Sequence, residues 1–141
     1  MSLLAESDRK GIQERLELLE SPVKLVNFTQ ELACAGCRET TQLLTEVSEL
    51  SDKITLETHN FAIDREKVEQ YKIDKIPATV VEGARDYGIR FYGLPAGFEF
   101  ATLLEDMIAA SADQHGLSPG SVEKLAKLER PVHLQVLVTP T

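Results

Sequence analysis

Between Ser7 and Glu20 the apolar residues Ile12, Leu16 and Leu19 recur at i, i+4 and i+7 among charged neighbours, the stripe of an amphipathic helix. Ser21-Pro22 stops it, and Val23 to Phe28 (VKLVNF) follows as a short apolar run that reads as a buried strand. A second helical stripe, Leu43, Leu44, Val47 and Leu50, ends near Ser51-Asp52. Lys53 to Phe61 then alternates Ile54 and Leu56 as a strand does, and Asp64 is placed to cap a short helix carrying Val68 and Tyr71. After Ile76-Pro77, two strand-like runs, Ala78 to Glu82 and Tyr87 to Tyr92, flank Gly83-Ala84-Arg85-Asp86 and predict a hairpin. Gly93-Leu94-Pro95-Ala96-Gly97 breaks the chain before a helix from Phe98 to about Ala110, whose apolar side carries Phe100, Leu103, Leu104, Met107 and Ile108. After the first helix, the order is β-α-β-α-β-β-α.

Beyond a polar linker (SADQHGLSPG) the opening pattern starts again. LELLESPVKL at 16–25 and LAKLERPVHL at 125–134 are identical at six of ten positions at a fixed offset of 109 residues. In each, a helix leads through Glu-X-Pro-Val into a strand. The chain thus reads as one unit over 1–111, a linker over 112–118, and the first helix and strand of an incomplete second unit over 119–141. Val132 to Val138, an apolar strand without the rest of its unit, would pair with another chain to give a homodimer or with the edge of the first sheet.

Composition narrows the function classes. At 141 residues and 43% apolar content the chain can bury a core without disulfide staples, and it has no apolar run long enough for a membrane span. Acids outnumber bases by 23 to 15 with no basic stripe or tail, which argues against nucleic acid and anionic membrane as partners. Acids arrive early in Met-Ser-Leu-Leu-Ala-Glu-Ser-Asp, before any signal-like apolar core, so a cytoplasmic location is expected.

The chemistry lies in the two cysteines. Cys34 and Cys37 are separated by two residues, directly after a predicted strand and at or near a helix start. Such a pair can close a small disulfide ring, one thiol meeting substrate and the other resolving the mixed disulfide. Attack requires thiolate, and unpaired N–H groups at a helix start lower a cysteine pKa from its usual value of about 8.5. Cys34 is the candidate nucleophile and Cys37 the resolving thiol; Ala35 and Gly36 keep the backbone accessible, and Arg38 adds positive charge. Spacing alone also admits a metal site or an idle pair in a docking module. A zinc site would need further ligands, and His59, His115 and His133 lack His-x3–5-His spacing. His59 itself reads as structural or solvated, and the glycines around Pro95 as a turn, there being no GxxxxGK[ST] phosphate loop.

From Lys24 to Ile108 the chain resembles the thioredoxin superfamily, and KIPATVV, YGIRFYGLPAGFEF and TLLEDMI are similar to the N-terminal unit of two-unit glutaredoxin-like protein disulfide oxidoreductases. That resemblance accounts for the internal repeat. It implies a three-layer α/β thioredoxin-like fold, with a mixed central sheet carrying helices on both faces and an extra N-terminal helix. It implies that Cys34 and Cys37 are the redox pair, that Pro77 is a cis-proline packed against them, and that Ile76 offers backbone groups to an extended substrate peptide. Disulfide-containing proteins would be the substrates, an upstream thiol reductase the regenerating partner, and no cofactor would be needed. The motif departs from the thioredoxin type in having Ala33 before Cys34 and Ala35-Gly36 between the thiols. A related arrangement, the N-terminal domain of the alkyl hydroperoxide reductase flavoprotein, has two such units of which only the second is redox-active. The intact pair favours the oxidoreductase reading over that one.

Overall fold

Four strands form one mixed sheet in the order β2-β1-β3-β4 in a computed structural model that describes residues 1–139. The strands are β1 (Val23–Thr29), β2 (Ile54–Asn60), β3 (Ala78–Glu82) and β4 (Asp86–Tyr92). β1 runs parallel to β2, with Leu25 opposite Leu56, and antiparallel to β3, with Leu25 opposite Val81. β3 and β4 form the expected hairpin, with a bulge at Val81/Glu82. The helices are α1 (Glu6–Leu16), α2 (Cys37–Ser48), α3 (Arg65–Gln70), α4 (Phe98–Ala112) and α5 (Pro119–Leu125).

The central place of β1 explains why VKLVNF is nearly continuous in apolar residues: both its faces are covered. Val23 and Leu25 face one core with Val81, against Leu44 and Val47 of α2, Leu103 and Met107 of α4, and Ile12 and Leu16 of α1. Val26 and Phe28 face the other with Ala78 and Val80, under Val68 of α3, Tyr71 and Ile73. The result is the three-layer arrangement expected from the resemblance, with α1 as the extra helix packed on α4. Gly83, in the turn between β3 and β4, lies so close to α4 that a Cβ there would fall 2.3 Å from the Ala110 carbonyl oxygen.

Three local expectations need correction. The first helix ends at Leu16 rather than Glu20, because Leu18 and Leu19 N–H groups bond three residues back, to Arg15 and Leu16, and tighten the chain out of the α-helix. Leu19 is still delivered into the core. Asp64 occupies the N-cap position of α3, but its carboxylate accepts from the Asn60 backbone N–H at 2.6 Å rather than from a helical N–H. Asn60 has drawn the turn around itself, its own side chain accepting from Ala62 and Ile63 N–H groups. Finally, residues 132–138 pair with no strand among the described residues, and their apolar side chains stand exposed. A strand needs partners for its backbone groups, and among the described residues this segment has no counterparts of the β2 and β3 that flank β1.

Candidate functional site

The C-terminal ends of β1 and β4 and the N-terminal end of β3 meet at one end of the sheet, and this brings three loops together. Cys34, in the loop after β1, is joined by a disulfide to Cys37, the first residue of α2, with Cα atoms 5.6 Å apart. Cys34 is half-buried, whereas Cys37 is 2% exposed. The two sulfurs therefore differ in access as an attacking and a resolving thiol should. The ring closes because the chain bends sharply before the helix: Gly36, the N-cap, has φ +82° and Ala33 has φ +54°. Glycine tolerates the left-handed region, but at Ala33 it costs about 1 kcal/mol.

The second loop carries the cis peptide Ile76-Pro77. A Cβ placed on Gly36 would lie 3.9 Å from Pro77 Cγ and 4.0 Å from Leu94 Cβ, so the motif, the cis-proline loop and the third loop, Gly93–Gly97, are in mutual contact. The Gly93 N–H donates to the Pro77 carbonyl at 2.9 Å and ties the second and third loops together. Pro77 is buried and Ile76 partly exposed, and no loop or turn backbone hydrogen bond involves Ile76 among the described residues. Cys34, Cys37, Ile76 and Pro77 thus gather at one end of the sheet. Arg38 is exposed on the first turn of α2. His59 stacks on Phe28 with ring centroids 5.6 Å apart, with Nε2 3.4 Å from Glu57, and Phe28 faces the α3 core, away from α2. It takes no part in the site.

A polar group beneath α2 was not foreseen from the sequence pattern. Asn27, fully buried in β1, donates from Nδ2 to Thr41 Oγ1 at 2.8 Å, and Thr41 Oγ1 donates to the Cys37 carbonyl at 2.9 Å. Thr40 and Thr79 are also fully buried, and Thr79 is the β3 partner of Asn27. The available signal was the interruption of two apolar strands, VKLVNF by Asn27 and ATVV by Thr79. No group of three or more His, Cys, Asp or Glu side chains suited to a metal occurs among the described residues. No helix among them is long and apolar enough to cross a membrane.

No protein-family model and no curated protein sequence matches the chain. Solved structures do. A protein disulfide oxidoreductase from Aeropyrum pernix is 26% identical over 88% of this chain and 55% of its own, with a TM-score of 0.80. The alkylhydroperoxide reductase AhpF from Enterococcus faecalis, in a mutant form, is 28% identical over 89% of this chain and 61% of its own, with a TM-score of 0.78. The N-terminal N/C domain of the same E. faecalis reductase gives 27% identity over 86% and 58%, with a TM-score of 0.70. The chain spans little more than half the length of these relatives. With its mixed sheet, its Cys34-Cys37 disulfide and its cis-proline, this is a thioredoxin-like chain, similar to protein disulfide oxidoreductases and to the N-terminal domain of the alkylhydroperoxide reductase AhpF.

Proposed function

We propose that the chain exchanges its Cys34-Cys37 dithiol and disulfide with disulfides of other proteins. The observation that carries this reading is the unequal access of the two joined sulfurs, one reachable and one buried, beside the cis-proline loop. The similar structures are thiol–disulfide oxidoreductases or parts of them, which supports oxidoreductase chemistry in general. In the reducing direction the Cys34 thiolate attacks one sulfur of a substrate disulfide; the substrate S–S bond breaks, a mixed disulfide forms and one substrate thiolate leaves. Cys37, deprotonated as it attacks, then displaces the second substrate sulfur and forms the Cys34-Cys37 bond. The substrate gains two electrons and two protons, and the pair is oxidised. The unpaired N–H groups at the start of α2 favour the thiolate.

Ile76 and Pro77 receive the substrate backbone in this reading, in an extended strand-like pairing that uses the Ile76 backbone groups. An upstream thiol reductase regenerates the dithiol, and the work takes place in the cytoplasm. The similarity to two-unit and multi-unit proteins, together with the exposed apolar run at 132–138, supports a homodimer paired through that segment.

Redox titration against defined dithiothreitol ratios, read by thiol labelling and mass spectrometry, tests the central reading. A reversible two-electron transition is expected, with disulfide turnover abolished in Cys34→Ser and mixed disulfides trapped in Cys37→Ser. Failure to form the intramolecular disulfide at any ratio, or undiminished turnover in Cys34→Ser, would overturn it in favour of metal binding or docking.

A further inference from the structure

Among the described residues the sheet has two open edges, and they are not alike. Along β4 the edge is irregular: Gly88 sits at φ +86°, and the bulge at Val81/Glu82 distorts the pairing with β3. Along β2 it is regular. The Val23 N–H donates to the Lys53 carbonyl at 2.8 Å and the Phe61 N–H to the Thr29 carbonyl at 2.9 Å, which sets the phase of the parallel ladder. In that phase Thr55, Glu57 and His59 turn their backbone groups toward β1, and Leu56 and Thr58 turn theirs outward. Asn60 also points outward, but its own turn uses it: its N–H donates to the Asp64 carboxylate and its carbonyl accepts from the Asp64 N–H. The Ile54 carbonyl and the N–H and carbonyl groups of Leu56 and Thr58 thus meet no strand among the described residues.

The segment that lacks a sheet is a sequence copy of the strand that already pairs with β2. At the offset of 109 residues Val23–Thr29 falls on 132–138, and β2 has the same length, 7 residues. Laid parallel along the outer edge in the register of β1, Val132, Leu134 and Val136 stand beside Ile54, Leu56 and Thr58. That is the face covered by α2, where Leu56 and Leu50 are only half-buried at the rim of the core. On the other face His133 takes the position that Lys24 holds in β1, beside Thr55 and diagonal to Glu57. The Glu57 carboxylate lies 3.6 Å from Lys24 Nζ and is 38% exposed, so it is open to a second donor. No acid in 132–138 opposes it. Within its own chain the segment lies elsewhere. Asp74 is held below the usual carboxylate range by Lys75 first and more weakly by His133, and Lys75 rests on the Tyr92 ring of β4, across the sheet from β2. The edge of β2 is left to the segment of another copy.

We propose that Val132–Val138 of a second copy adds to the outer edge of β2 as a further strand, parallel to it and in the register of β1. The inference rests on the homodimer proposed through that segment and assigns it a receiving surface. In this register the Leu56 and Thr58 N–H groups donate to the His133 and Gln135 carbonyls. The His133, Gln135 and Leu137 N–H groups donate in turn to the Ile54, Leu56 and Thr58 carbonyls. Each open backbone group of β2 gains a partner, and the exposed side chains of Leu134 and Val136 are covered along the rim of α2. Because each copy both gives and receives the segment, two copies close on a twofold axis.

The test uses the full chain, with association read by analytical ultracentrifugation. Thr58→Pro removes an outward N–H while leaving the β1–β2 ladder intact, and its ring blocks an incoming strand. Its dimer should be more than about tenfold weaker than the parent's. Glu57→Lys should weaken the dimer about threefold, and adding His133→Glu should restore it, since the charges at that diagonal are then reversed. Should the proline variant not fold, the charge reversal decides. A folded Thr58→Pro that dimerises as the parent does overturns the β2 edge and leaves the homodimer standing. So does a dimer indifferent to Glu57→Lys, or a loss there that His133→Glu does not recover. A parent that stays monomeric ends the homodimer reading and the edge pairing with it, and leaves the Cys34-Cys37 exchange to its own titration.

Discussion

The two copies of the ten-residue pattern at 16–25 and 125–134 have opposite fates in one molecule. Leu16 is 2% exposed and its counterpart Leu125 is 50% exposed; Leu25 is fully buried and its counterpart Leu134 is 84% exposed. Both copies begin in a helix, α1 in one case and α5 in the other. Local propensity and capping suffice for that, as in α5, where Ser118 accepts the Ser121 N–H and Pro119 opens the first turn. They then diverge. After Pro22 the chain enters a strand between β2 and β3, whereas after Pro131 it finds no such neighbours among the described residues. The same apolar residues make a core in one place and an exposed surface in the other, because burial belongs to the partners and not to the segment.

The sharpest way to break this comparison is to truncate equivalent leucines. Leu25→Ala should destabilise the folded unit by about 2–5 kcal/mol, since it opens a cavity at a site covered on both sides. Leu134→Ala should leave the unit within about 0.5 kcal/mol of the parent. Denaturant unfolding of the two variants reads the difference, and equal losses would mean that the second copy is buried in solution.

A smaller effect separates the two copies through their surroundings. The segment leading into α1 is fastened to α2 by Glu46, which accepts from the Ser2 hydroxyl at 2.6 Å and from the Leu4 and Leu3 N–H groups at 3.0 and 2.8 Å, and pairs with Arg9 at 3.0 Å. The hydrogen bonds from the Ser2 hydroxyl, the Leu4 and Leu3 N–H groups and the Gln42 amide, in that order, lower the Glu46 pKa from 4.5 to about 2. A folded-state pKa below the unfolded value means that stabilisation is fully present above about pH 4.5 and is lost as the pH falls toward about 2. Unfolding midpoints across that window should fall more steeply for the parent than for Glu46→Gln, and parallel curves would remove Glu46 from the account.

Removing residues 117–141 should change the first unit least, with an unfolding free energy within about 0.5 kcal/mol of the full chain. Its larger consequence is expected in mass. Light scattering should report a dimer for the full chain and a monomer after removal, and a monomer in both cases would dismiss pairing through 132–138.

Much of the site was legible because thiol chemistry needs few parts in fixed order. A strand, a CxxC pair, a helix stripe and a later Ile-Pro before a strand are all local, and each recurs in the structure at the expected residues. The capping role expected of Asp64 fails because its carboxylate is taken by the Asn60 N–H, and local competition of this kind leaves no trace in spacing. The polar group beneath α2 is illegible for a different reason. Asn27, Thr40 and Thr79 come from three separate elements, and only strand pairing and helix packing bring them together.

Periodicity, turn chemistry and cysteine spacing by themselves determined the helices and strands of the first unit, where its hairpin turns, and which two sulfurs can join. These properties depend on neighbours within a few residues, whose geometry the backbone sets. Tertiary structure alone decided that Cys37 is buried and Cys34 reachable, that three loops close around Pro77, and that one copy of a repeated pattern becomes core while the other stays exposed. Access to solvent is determined by what packs against a residue, and that packing is assembled from distant parts of the chain.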